Sequence, residues 1–129
     1  METATHADEM RAVRDRFVAS VTSGDVEAVR ACYAPDALIW HNTDGLSQTV
    51  DENLRVLGWI AQNVRHFRYE NVRFEPTPAG FVEQHMTCGV SPSGVPFAIP
   101  ACIVCAISDG LVTRLDEYLD SKQTEAIAR

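Results

Sequence analysis

The sequence predicts an α+β domain: three N-terminal helices, then an antiparallel sheet that packs its one apolar face against them. Three observations predict this. Apolar residues recur at helical spacing through roughly the first half of the chain. From about Phe67 the period becomes alternating, as in half-buried strands. Two turn signals, Pro92-Ser93-Gly94 and Asp109-Gly110, then join strand-like runs as hairpins. Helices first and hairpin-linked strands afterwards is the order of an α+β architecture. At 129 residues, without repeats, low-complexity tracts or linkers, the whole chain 1–129 is expected to be one domain.

Met10, Val13, Phe17 and Val21 recur at three- and four-residue steps, so the first helix spans about residues 6–22. Ser23-Gly24 ends it, and Asp25 caps a short second helix that runs to Ala31 or Tyr33. Pro35-Asp36 breaks that helix, and Ala37 to Asn42 forms the first strand. Thr49 with Glu52 three residues later is a capping box, which starts a third helix through about Asn63. Leu54, Leu57 and Ile60/Ala61 give it a buried stripe. A second strand over Phe67–Phe74 stops at Pro76-x-Pro78, and Phe81–Gly89 is the third. Phe97–Ser108 is almost wholly apolar and therefore belongs mid-sheet. Asp109-Gly110 turns the chain into a fifth strand, Leu111–Leu119, after which Asp120 or Ser121 caps a short C-terminal helix.

Composition narrows the partners. Eleven basic against 18 acidic residues leave a net charge of −7, which disfavours nucleic acid and anionic membrane surfaces. No apolar run approaches the ~18 residues of a membrane span. The N-terminus lacks a basic segment followed by an apolar one, so a cytoplasmic location is expected. Cys102-x-x-Cys105 has metal or redox spacing, but residues three apart on a strand face opposite ways, so reduced thiols are expected. No His-x-His or HExxH spacing points to a metal and no Gly-rich loop to a phosphate, so neither metal nor cofactor is expected.

Two titratable residues stand out. Alternation in the last strand sets Glu117 on a face with Leu111, Thr113, Leu115 and Leu119, where a carboxylate loses water and becomes a candidate proton carrier. Val112, Arg114, Asp116 and Tyr118 fall on the other face. His41 ends the first strand, and an imidazole titrates near neutrality. In the third strand Phe81, Glu83, His85 and Thr87 share one face, which on pattern alone is the wetter one and faces solvent.

The stretch Cys32-Tyr33-Ala34-Pro35-Asp36-Ala37-Leu38-Ile39-Trp40-His41-Asn42, with Asp109-Gly110 and the strand ending Glu117-Tyr118-Leu119-Asp120, resembles the ketosteroid-isomerase-like (NTF2-like) superfamily. More narrowly it is similar to the SnoaL-like members, with a last strand like that of the limonene epoxide hydrolases. The resemblance implies a cone: helices on the concave side of a strongly curved sheet, and a homodimer through the convex face, where Val112, Arg114, Asp116 and Tyr118 lie. It places Glu117 on the catalytic aspartate of the epoxide hydrolases and His41 on the proton-shuttling aspartate of the isomerases. It also turns Glu83 and His85 toward the cavity, although an epoxide-hydrolase alignment drifts by one residue and favours the Gln84 face.

Departures from those families argue against two reaction routes, steroid isomerisation through the isomerases' donors and epoxide opening through the hydrolases' full constellation. Phe17 stands where the isomerases carry a helix tyrosine, and Phe97–Ile107 holds no acid, so their oxyanion donors are missing. The third strand lacks the Arg-x-Asp of the epoxide hydrolases, and Ile39 replaces their tyrosine. The expectation is a small enzyme using Glu117, His41 and His85 for acid–base chemistry on a small hydrophobic molecule. Phe17, Trp40, Trp59, Phe81, Phe97 and Leu115 are expected to wall its cavity, with Glu83 beside them. The alternative is a non-catalytic binding or dimerisation module.

Overall fold

A computed structural model describes residues 3–129. In chain order the elements are α1 (His6–Ser23), α2 (Val26–Cys32), β1 (Tyr33–His41), β2 (Ser47–Gln48), α3 (Val50–Asn63), β3 (Arg65–Thr77), β4 (Gly80–Val90), β5 (Pro96–Ser108), β6 (Leu111–Leu119) and α4 (Ser121–Thr124), which runs into a 3-10 turn, Glu125–Ala128. Side-chain caps set the helix starts. Thr49 and Glu52 bond reciprocally at the head of α3, Thr5 and Asp8 do the same for α1, and Asp25 accepts from the Ala28 amide at α2. Gly24, at φ 75°, closes α1 in the left-handed conformation that glycine adopts without strain.

The six strands form one sheet in the order β2-β1-β6-β5-β4-β3. β3 to β6 make an antiparallel meander through the expected hairpins. β1 pairs with β6 in parallel, so the sheet is mixed rather than purely antiparallel. The direction of β1 had no local determinant: α3 separates it from the later strands, so no hairpin turn ties it to its partner. β1 also begins earlier than expected, at Tyr33. β3 runs through Pro76, because an edge strand tolerates a residue that cannot donate to a ladder. Register shifts within the β3/β4, β5/β6 and β1/β6 ladders mark bulges, which bend and twist strands.

The bulge in β6 has a consequence for side-chain direction. Ala106 and Ile107 on β5 face Arg114 and Val112, so Thr113 is the additional residue, and its hydroxyl bonds the Ala106 carbonyl at 3.2 Å. Parity flips there. Val112 is fully buried under the helices together with Leu115, and is not on the outer face with Arg114, Asp116 and Tyr118. Arg114 Nε and Asp116 Oδ1 form an outer-face ion pair at 2.9 Å.

The core lies between sheet and helices. Val13, Phe17, Val18 and Val21 of α1, Val29 and Cys32 of α2 and Leu54 of α3 pack on Ile39, Phe81, Ile103, Cys105 and Leu115. A second cluster, Val64, Phe97 and Ile99, is covered by Leu119, Ala126 and Ile127, so the C-terminal turn closes that end of the domain. Among the described residues no helix is long and apolar enough to cross a membrane.

Candidate functional site

His41 and Glu117 are direct partners across the parallel β1/β6 pair, and His41 Nε2 lies 3.2 Å from Glu117 Oε1. The position behind them in the same ladder is Ile39 opposite Leu115, both buried, so the pair stands on the inner face next to the core. Each side chain keeps just under a fifth of its surface accessible. The hydrogen bond to Glu117 raises the proton affinity of His41 above the ordinary histidine value, against a smaller opposing effect of burial. Asn42 fixes the local geometry: its amide donates to the Leu119 carbonyl at 3.0 Å and accepts from the Leu119 amide at 2.8 Å.

A second acid–histidine pair sits deeper. The ladder register runs His41, Glu117, Ile103, Glu83 across four strands, so Glu83 and Glu117 flank Ile103 about 10 Å apart at the backbone. Glu83 and His85 are both buried on the inner face of β4, contrary to the solvent-facing placement that alternation alone suggests. Gln84 is exposed on the opposite face. The interior tolerates the Glu83 carboxylate because His85 and Arg14 satisfy it. His85 Nδ1 donates to Glu83 Oε2 at 2.7 Å, and Arg14 of α1 grips both carboxylate oxygens through Nε and Nη2. Burial by itself would push the Glu83 carboxyl up, but the bonds from His85 and Arg14 outweigh it and hold the group below the usual carboxylate range.

Two tyrosines and an asparagine border this region. The Tyr69 ring stacks on the His85 ring with centroids 3.7 Å apart and planes 10° from parallel. Tyr69 is enveloped by protein yet retains accessible surface, and its phenol is pushed well above the usual value, first by burial and then by the charge of Glu117. The Tyr33 hydroxyl donates to Asn53 Oδ1 of α3 at 2.9 Å, and burial likewise raises its phenol.

Of the expected wall residues, Phe17 packs edge-on against Tyr33, Phe81 is fully buried against Phe74, and Leu115 is buried in the core. Phe97 belongs to the separate cluster under the C-terminal turn. Two placements need correction. Trp40 alternates away from Ile39 and His41 and meets Tyr118 edge-on on the outer face, where Tyr118 is exposed. Trp59 is 41% exposed, because it lies off the Asn53/Leu54/Leu57 stripe by which α3 packs. A groove of about 590 Å³ is lined by outer-face residues, among them Arg73, Gln84, Met86, Cys102 and Tyr118, and also by His85, but by neither His41 nor Glu117. All four cysteines are free, and among the described residues no group of three or more His, Cys, Asp or Glu is placed to hold a metal ion.

Sequence reasoning did not single out Arg14, Tyr33, Asn53, Tyr69 or Thr87. Arg14 had a usable signal: it falls four residues after Met10 and three before Phe17, at the margin of the buried stripe of α1. Tyr69 also had one, since it alternates with Phe67 along β3. Tyr33 and Asn53 had none, because their partnership joins residues twenty apart on different elements.

The comparisons agree with this architecture. The SnoaL-like domain family matches residues 15–115. No curated protein matches the sequence. Among solved structures, a candidate polyketide cyclase from Xanthomonas campestris superposes with a TM-score of 0.82 at 13% identity, covering 96% of this chain and 100% of that one. PrhC from Penicillium brasilianum gives 0.82 at 14% identity, covering 95% and 87%. A protein of ketosteroid-isomerase-like fold from Catenulispora acidiphila, solved with trimethylamine, gives 0.78 at 12% identity, covering 91% and 93%. At these identities the likeness concerns the fold. The family match spans most of the chain, the α+β layering and strand order fit it, and this chain therefore belongs to the SnoaL-like domain family.

Proposed function

We propose that the domain is a small acid–base enzyme of the SnoaL-like class, acting on a small hydrophobic molecule bound between helices and sheet. The observation that carries this reading is the His41–Glu117 pair, 3.2 Å apart, on the inner face and still partly accessible. Glu117 raises the proton affinity of His41, so protonated imidazole is available as a general acid and the carboxylate beside it as a base. At 3.2 Å separation, a proton taken from a carbon acid or a water by one member can be returned to the ligand by the other. Ile39, Leu115, Phe17 and Phe81, buried together in the core beside the pair, are the apolar surface such a ligand would meet in this reading. The resemblance to a candidate polyketide cyclase supports a ligand of polyketide-like or similarly apolar character. Such a pair is compatible with isomerase, cyclase or hydrolase chemistry.

The test is a histidine NMR titration of the wild type against Glu117→Gln. Loss of the carboxylate should lower the His41 midpoint. An identical His41 curve in both proteins would show that the residues are uncoupled and leave a non-catalytic binding domain as the better reading. With a substrate in hand, Glu117→Gln should cost about tenfold or more in turnover, since acid–base catalysis contributes ~10²–10⁴-fold.

A homodimer through the outer sheet face is part of the same reading. Leu38, Val104 and Tyr118 are exposed there around the Arg114–Asp116 pair, which lies on β6 between Leu38 of β1 and Val104 of β5, a mixed composition suited to an interface.

A further inference from the structure

On the inner face of β4, His85 Nε2 and Thr87 Oγ1 are both shut off from solvent and have no hydrogen-bond partner among the described residues. Native interiors rarely leave such atoms unmet, and each one calls for a water, an ion or a ligand atom. The two are successive inward positions on one strand, about 7 Å apart along it. Their neighbours across the ladder offer no polar side-chain atom: Ala101 stands opposite His85 on β5 and Ile99 opposite Thr87. Tyr69, opposite Thr87 on β3, presents its ring to His85.

The hydrogen-bonding sense of His85 follows from its other nitrogen. Arg14 holds the Glu83 carboxylate ionised, so the proton in the 2.7 Å contact belongs to His85 Nδ1. In the neutral ring Nε2 is then a bare acceptor. Thr87 adds a hydroxyl that donates and accepts. A bare acceptor and a hydroxyl at successive inward positions of one strand complement an O–H group lying between them, whose hydrogen goes to His85 and whose oxygen accepts from Thr87. A carbonyl or ether oxygen meets Thr87 alone and leaves the imidazole unsatisfied.

We propose that His85 Nε2 and Thr87 Oγ1 form a buried hydroxyl-binding subsite, which selects ligands that carry a phenol, enol or alcohol on an apolar body. Arg14 and Glu83 are positioning residues: they fix the tautomer and do not touch the ligand. The inference rests on the reading of the interior as a small-molecule site and specifies which functional group enters first.

The experiment uses the full chain with ¹⁵N-labelled histidine and two probes of similar shape, phenol and toluene. Phenol should move the His85 Nε2 resonance and bind about tenfold or more tightly than toluene, because a site built for a hydroxyl rejects the analogue that lacks it. Thr87→Val, nearly the same shape, should abolish that preference, and Thr87→Ser, which keeps the hydroxyl, should retain it. Glu83→Gln should alter the ¹⁵N tautomer signature of His85 and weaken the preference together, an outcome that a merely structural role for Glu83 does not produce. Equal affinity for the two probes overturns the proposal. So does a His85 signal unmoved at high phenol, whether the probe stays out or a resident water holds the pair. The coupling of His41 to Glu117 is read on a different resonance, so either assignment fails without the other.

Discussion

Arg14→Met tests whether the charged cluster under α1 holds together as the geometry implies. Glu83 is fully buried, and the Arg14 side chain is only 12% exposed. Removing the guanidinium leaves a carboxylate without its cation in a site that water does not reach. Such losses cost about 3–5 kcal/mol, and the slight exposure of Arg14 argues for the lower end, ~3 kcal/mol. With an unfolding entropy of about 2.1 cal/mol/K per residue over 129 residues, that is a fall in melting temperature of about 11 °C. The double variant Arg14→Met/Glu83→Gln removes both charges while the amide oxygen introduced in place of the carboxylate still accepts from His85, so it should recover most of the loss. Urea unfolding of the wild type, Arg14→Met, Glu83→Gln and the double variant gives the coupling directly. The pH dependence supplies a second reading. Glu83 titrates below its unfolded value, so its contribution is present above about pH 4.3 and is lost as pH falls through the folded value. Arg14→Met already lacks much of that contribution, and its stability curve should converge with the wild type in acid. A melting temperature within about 2 °C of wild type would refute the reasoning, and so would additive losses in the double variant.

Three further outcomes are expected. His41 has the opposite sign to Glu83: its proton affinity is raised on folding, so the stability it contributes is complete below about pH 6.5 and disappears as pH rises through the folded value, a loss that Glu117→Gln should abolish in denaturant titrations from pH 5 to 9. Gly80→Ala should destabilise by at least about 1–3 kcal/mol, measured by urea unfolding, because a Cβ there would lie 2.0 Å from the Cys105 carbonyl oxygen of the neighbouring strand. Val104→Asp places a charge among the exposed apolar residues of the outer face and should turn a dimer into a monomer by light scattering at micromolar concentration, whereas a monomeric wild type would remove the proposed interface.

The helices were legible because their determinants are local. Thr49 and Glu52 are three residues apart, Asp25 stands beside the helix it caps, and Gly24 supplies the left-handed residue that ends α1. The hairpins were legible for the same reason. Errors gathered where the deciding partner is remote or where a single inserted residue inverts a pattern. Strict alternation placed Val112 outside, and only the Thr113 bulge, which depends on the β5 register, brings it in. Trp40 and Trp59 were assigned by size and apolar character, yet strand parity and helix phase put both away from the interior. The His41–Glu117 meeting rests on a parallel pairing between the two ends of the chain, for which no short-range signal exists.

Polar residues on an inner strand face mean different things according to what satisfies them, and this domain carries both cases within one ladder. At Glu117 the partner is a histidine that still reaches solvent, so the pair can exchange protons with its surroundings. At Glu83 the partners are a buried histidine and a guanidinium from α1, so the charge is fixed and the same chemistry becomes scaffolding. Alternation cannot separate the two, because it counts polar residues without their partners and therefore read the Glu83/His85 face as wet. Arg14 makes that face dry. The cation on the margin of a helix's apolar stripe was the sequence feature that distinguished a buried acid–histidine pair from an exposed one, and its removal should expose the difference.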